Sequence, residues 1–163
     1  MFFEAAAELS GDDCSGRHLA PKIDLRKPGI VAYIGLAAKT LDDAIRNFLH
    51  YQRVHNLATR GELIEDDAHE RSRATYLQPE LHDPKQRHEQ RAGVNVHVGL
   101  WLSKRNIYLA EIRVIHKRDH HLNEIERVLR CATLKAQEVY ETIFHRNHLS
   151  LPIPSAEHEL VKL

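Results

Sequence analysis

Apolar residues recur at helical spacing from the first residues of the chain. Phe2, Phe3, Ala6 and Leu9 fall on one side of a helix predicted over residues 2–9. That helix opens in mid-pattern with no capping residue, which leads to the expectation that sequence upstream is missing. Ser10-Gly11-Asp12-Asp13 breaks it, and Pro21 to Gly29 reads as a polar connector with two prolines. Ile30 to Ala38 is small and apolar, too short for length to separate strand from helix, and its Gly, Ala and Tyr content favours helix. Thr40-Leu41-Asp42-Asp43 is a helix start: Thr40 can cap an early backbone N–H, and Asp43 stands at the capping-box position. Leu41, Ala44, Ile45, Phe48, Leu49 and Tyr51 then recur at helical spacing to about His55.

The period changes after Leu57. Two solvent-facing antiparallel strands are expected up to Leu77, joined by a turn at Glu65-Asp66-Asp67-Ala68. Pro79 to Arg91 is charged, with Asp83-Pro84 a plausible helix start. Val94, Val96, Val98, Leu100 and Leu102 alternate, as a strand would, and three β-branched valines favour that state. The same stretch also places Ala92, Val96, Gly99, Leu100 and Ser103 on one helix face, so both readings stay open. Ile107 to Ile115 alternates again, with Ala110, Ile112 and Val114 opposite Glu111 and Arg113. Asp119 precedes a short helix carrying Leu122, Ile125, Val128 and Leu129. Two short strands follow, near 133–136 and 139–144. Leu149, Leu151 and Ile153 alternate before Pro154, and a last turn of helix is expected after it.

The chain has 163 residues, enough for one domain with a real core, and its 42% hydrophobic and 28% charged residues are those of a globular protein. Lys plus Arg and Asp plus Glu both total 23, so formal charge cancels. That balance argues against a dedicated nucleic-acid binder, which draws affinity from phosphate neutralisation, and leaves self-association little opposed by repulsion. Cys14 and Cys131 form no CxxC pairing, no basic n-region opens the chain, and no apolar run approaches the ~18 residues of a membrane span. A reduced, cytoplasmic setting without membrane contact is expected.

Candidate chemistry is sparse. Among thirteen histidines, His116 with His120 and His145 with His148 have helix-compatible metal spacing, but the first pair straddles a strand end and the second a turn. No HExxH or CxxC accompanies them, so no metal site is expected. Glu65-Asp66-Asp67 fits a solvated turn better than acid–base work, and Cys131 a small buried hydrophobe better than a nucleophile. Gly29, Gly35 and Gly99 make no phosphate cradle. Arg71/Arg73 and Lys117/Arg118 read as solvated faces. Trp101, the sole tryptophan, is either core or a pocket wall.

Four segments, in order, resemble the effector-sensing N-terminal domain of AraC-type transcription regulators. FFEAAAELSGDD with SGRHLA resembles its opening helix and loop. PGIVAYIGLAAKTLDDAIRNFLHYQRV resembles a small-residue helix leading through a capping threonine into a second helix. IRVIHKRDHHLNEIERVLRC resembles a strand ending in histidine, then a helix and a cysteine, and IFHRNHLSLPIPSAEHEL resembles the close of the domain. Ala132 and Thr133 stand where a proline and a valine are usual, Lys135 near an aromatic, Tyr140 near an asparagine, and residues 60–90 match poorly. The resemblance favours helix over 94–102.

The resemblance implies a non-catalytic α+β domain, with N-terminal helices packed on an antiparallel sheet and further helices interleaved. Such a domain senses a small-molecule effector, forms homodimers and reaches DNA only through a C-terminal helix-turn-helix unit absent from these residues. No cofactor is implied. Tyr33, Tyr51, Trp101, Tyr108 and His116, amphipathic groups near expected core edges, are the candidate ligand-lining residues. Two other classes remain: an interaction module that modulates a full-length regulator, and a small enzyme using histidine or carboxylates.

Overall fold

A computed structural model describes residues 2–27, 30–78, 85–117, 123, 126, 129, 131–134 and 137–154. Six helices are described: α1 (Phe2–Ser10), α2 (Ser15–Leu19), α3 (Ile30–Leu36), α4 (Leu41–His55), α5 (Lys85–Ser103) and α6 (Arg146–Leu149). Five strands are described: β1 (Thr59–Glu65), β2 (His69–Tyr76), β3 (Leu109–Arg113), β4 (Ala132–Leu134) and β5 (Tyr140–His145). They form one sheet in the order β1-β2-β5-β3-β4. The α+β class is as expected, with one refinement. β1–β2, β2–β5 and β5–β3 are antiparallel, whereas β4 joins β3 in parallel, so the sheet is mixed. A parallel pair needs a crossover, and within residues 118–130 only Asn123, Glu126 and Leu129 are described, each in helical conformation. Leu122, Ile125 and Val128 of the helix expected after Asp119 lie outside the described residues, as do Asp83-Pro84 and residues 155–163.

The hairpin β1–β2 has the expected turn, with Thr59 opposite Tyr76 and Glu65 opposite Glu70. Asp66 closes it by accepting bonds from the backbone N–H groups of Ala68 (3.1 Å) and His69 (2.8 Å). Those bonds, the His69 one foremost, hold its carboxyl below the usual carboxylate range. The strands are not wholly solvent-facing: Thr59, Glu70, Ala74 and Tyr76 point inward and are buried.

Thr40 caps α4, its hydroxyl oxygen accepting from the Asp43 backbone N–H at 3.2 Å and its proton going to the Asp43 carboxylate at 2.9 Å. Residues 151–153 are clipped to this cap, because Leu41 N–H donates to Leu151 C=O and Ile153 N–H to Lys39 C=O. Leu149 and Ile153 are thereby drawn into the core with Leu41, Ala44, Ala92, Leu102, Ile112 and Phe144.

Residues 94–102 are helical. In α5, Ala92, Gly99 and Ser103 are buried and Val96 packs on the core, whereas Leu100 stays largely exposed. Tertiary burial on two sides of α5 outweighs the strand preference of its valines. The helix stops where Ser103 Oγ turns back onto Gly99 C=O (2.7 Å) and Lys104 adopts φ 56°. At the other end of the chain the expected face of α1 is rotated. Ala7 is buried while Leu9 is 91% exposed, because α1 leans on α2 and α5 rather than on the sheet.

Candidate functional site

A cavity of about 700 Å³ opens between α4, α5 and the inner face of the sheet. Its apolar wall comes from α4 (Leu41, Ala44, Ile45, Phe48, Leu49), from α5 (Val94, Val98, Trp101, Leu102) and from Ile107, Phe144 and Leu149. The geometry follows from α5. Residues 87, 91, 94, 98 and 102 recur every three or four positions and so share one stripe, while Gln86, Glu89 and Gly93, buried on another side of the helix, pack against α2 and Ala20. Glycine sets how close the walls stand: a Cβ on Gly99 would lie 2.0 Å from Ile107 Cδ1.

Polar groups cluster toward the N-terminal half of α5. Arg87, Gln90, Arg91 and Asn95 line the cavity there, with Gln52 across from them on α4 and Tyr76 on β2. Asn95 is occupied, donating to Thr142 Oγ1 at 2.9 Å. Arg87 lies over the Tyr76 ring at 5.6 Å and Arg91 over the Tyr140 ring at 5.7 Å, cation–π distances. Neither has a carboxylate partner among the described residues. Tyr76 is 3% exposed, and its hydroxyl has no hydrogen-bond partner among the described residues. Such an orphan costs about 1–3 kcal/mol unless something satisfies it.

Behind Tyr76 lies a buried ionic cluster. His88 stacks on Tyr76 with centroids 5.0 Å apart and lies 5.5 Å from Tyr140 and 5.8 Å from His116. Glu89 bridges Arg17 (Nε to Oε2, 3.2 Å) and His116 (Nε2 to Oε1, 3.3 Å), all three side chains buried. The buried acid between two basic groups links α2, α5 and the segment that follows β3. On the outer face of the sheet Glu141 is fully buried beneath Arg73 (2.8 Å) and Arg113 (3.0 Å).

The five residues expected to line a ligand site are dispersed. Trp101 is in the cavity wall, with the Lys104 ammonium 5.6 Å from its ring centroid. Tyr33 on α3, Tyr51 on α4 and Tyr108 before β3 are exposed and outside the lining. Tyr108 C=O lies 2.9 Å from Nδ1 of His148, which does line it. His116 is in the buried cluster with Glu89. Tyr76, Arg87, Arg91 and Gln52, which line the cavity, are not among those five. Two arginines one turn apart on a helix continuing into Asn95 and Val98 were a legible signal, hidden because that stretch reads as surface charge.

Other sequence candidates have structural duties. Glu65 pairs with Arg46 (2.6 Å) and Arg146 (3.1 Å). The Cys131 thiol is pushed up to about 12, first by burial and then by the charges of Glu126 and Glu111, so it carries no thiolate at neutral pH. His145 lies 5.8 Å from His148 with perpendicular rings, and among the described residues no three His, Cys, Asp or Glu side chains converge as metal ligands. His120, the proposed partner of His116, lies outside them. Among the described residues no helix is long and apolar enough to cross a membrane.

The family model described as "Arabinose-binding domain of AraC transcription regulator, N-term" matches residues 1–153. No curated protein matches the chain in sequence. In fold it is similar to the transcriptional regulator CdpR from Pseudomonas aeruginosa, with a TM-score of 0.64 and 14% identity over 86% of this chain and 46% of that one. The chain thus spans just under half of that regulator's length. At such low identity the likeness speaks for the fold alone.

Proposed function

Because the chain belongs to the family of arabinose-binding N-terminal domains of AraC transcription regulators, we propose that it senses a small cytoplasmic molecule in the cavity between α4, α5 and the sheet. The cavity carries this reading: about 700 Å³ of mostly apolar wall interrupted by polar groups is the size and composition of a small-molecule site. Occupancy would stiffen the contact of α4 and α5 across the sheet and shift the balance between two arrangements of a paired regulator. DNA contact would fall to a helix-turn-helix unit outside these 163 residues. The domain itself would do no chemistry, and it would pair with a second copy.

A thermal-shift screen of cytosolic metabolites on the 163-residue chain tests the reading. A compound at about one hundred times its Kd stabilises by about 2.7 kcal/mol, which for a chain of this size raises Tm by roughly 5–10 °C. Val98→Trp, which fills the cavity, should cancel that rise. A rise that persists in Val98→Trp would place the ligand elsewhere, and a screen with no rise at all would sink the sensing role.

A further inference from the structure

Resting on that sensing role, we infer that the ligand is an amphipathic organic anion. Its carboxylate meets Arg87, Arg91 and the Tyr76 hydroxyl, and its apolar body runs toward Trp101. The inference starts from an imbalance of charge. Arg17, Arg46, Arg73, Arg113 and Arg146 are each held by a carboxylate. Arg87 and Arg91, half-buried in the cavity wall, have none among the described residues and meet only tyrosine rings. Asp24 is the one carboxylate among the described lining residues, and it is exposed like its neighbour Lys27. The polar end of the cavity therefore carries net positive charge against apolar walls.

The positions are costly without a negative partner. Arg87 stands in the first turn of α5, where the helix dipole favours anions and disfavours cations, and Arg91 follows one turn further in. They are one turn apart, about 6 Å along the axis, which suits two guanidinium groups converging on one carboxylate. A guanidinium over an aromatic ring keeps its N–H edge free for bidentate bonding. Tyr76 supplies a third donor. Its ring is pinned by the stack on His88 at 5.0 Å, and its buried hydroxyl has no partner. Two cations and an orphan hydroxyl on one side, with Phe48, Val98 and Trp101 on the other, describe a charged head and an apolar tail.

Trp101 provides the readout, being the sole tryptophan and part of the wall. The 163-residue chain is titrated with decanoate, 1-decanol and decylamine at neutral pH, following Trp101 fluorescence and Tm. Decanoate is expected to bind at least about tenfold more tightly than decanol, the typical worth of a hydrogen bond to a charged group, and decylamine most weakly. Arg87→Gln and Arg91→Gln should each bring the decanoate-to-decanol ratio down by about tenfold, and added salt should lower it too. Arg146→Gln, which loses a surface pair with Glu65, should leave the ratio alone. If Arg87→Gln does not fold, the Arg91→Gln titration decides. Decanol or decylamine matching decanoate, or a preference that survives both substitutions, overturns the anion inference and leaves the sensing role standing. Silence from all three probes in both Trp101 fluorescence and Tm overturns it as well, and counts against the cavity as a ligand site.

Discussion

Glu89 shows how much one residue can hold. Its carboxylate lies between Arg17 and His116, each within 3.3 Å and each buried. Removing one member of such a cluster leaves a charge stranded in low dielectric, at a cost of about 3–5 kcal/mol. Arg17→Ala is therefore expected to lower the urea midpoint sharply. Arg17→Met with Glu89→Met, which removes both charges and keeps the volume, should recover most of the loss. A single substitution no more costly than a surface change would mean that the ionic contact contributes nothing. In the sequence Arg17 falls within SGRHLA and Glu89 within the charged stretch from Pro79 to Arg91. Nothing in their spacing, 72 positions apart, announces a contact.

Elements meet closely at Gly16 and at Gly99, and the two differ in what can yield. A Cβ on Gly16 of α2 would come 2.0 Å from the Gln86 backbone oxygen of α5, where Gln86 also binds Gly16 N–H through its side chain at 2.9 Å. A Cβ on Gly99 would meet only the Ile107 side chain. Gly16→Ala must push two helices apart, so its cost is expected at or above the ~1–3 kcal/mol typical of overpacking. Gly99→Ala should cost less, because Ile107 can change rotamer, and it should narrow the cavity. Equal losses of Tm for the two variants would refute this ordering. The helices themselves were legible where caps and spacing agreed, as at Thr40 and along α4. In α5 local preference and tertiary packing disagreed, and packing prevailed.

For the whole molecule, cancelling charge and exposed apolar groups bear on the proposed pairing. Tyr51, Val54 and Leu57, at the end of α4 and just beyond it, are 44%, 73% and 72% exposed. Tyr33 and Ile30 on the neighbouring α3 are exposed as well. A second copy covering this end would bury an apolar surface that is unusual to leave in water. Sedimentation should show a dimer that Val54→Glu with Leu57→Glu converts to monomer with its Tm preserved. A chain already monomeric at the highest soluble concentration would end the pairing proposal. Tyr33 and Tyr51, expected as pocket walls, then have an outward position consistent with such a contact.

The amino-acid order alone determined whatever depends on neighbours within a few positions. The Thr40 cap, the α4 periodicity, the β1–β2 turn at Asp66 and the alternation around Ile112 all follow from local backbone chemistry. It also carried the segment order by which the family was discernible. Only the folded chain decided the state of residues 94–102, the parallel pairing of β4, and which side chains meet in the cavity. Those depend on contacts between distant residues, such as Arg87 with Tyr76 and Arg91 with Tyr140. The reason is physical: hydrogen bonding along the backbone is settled nearby, whereas burial and charge pairing are settled by whatever the rest of the molecule brings alongside.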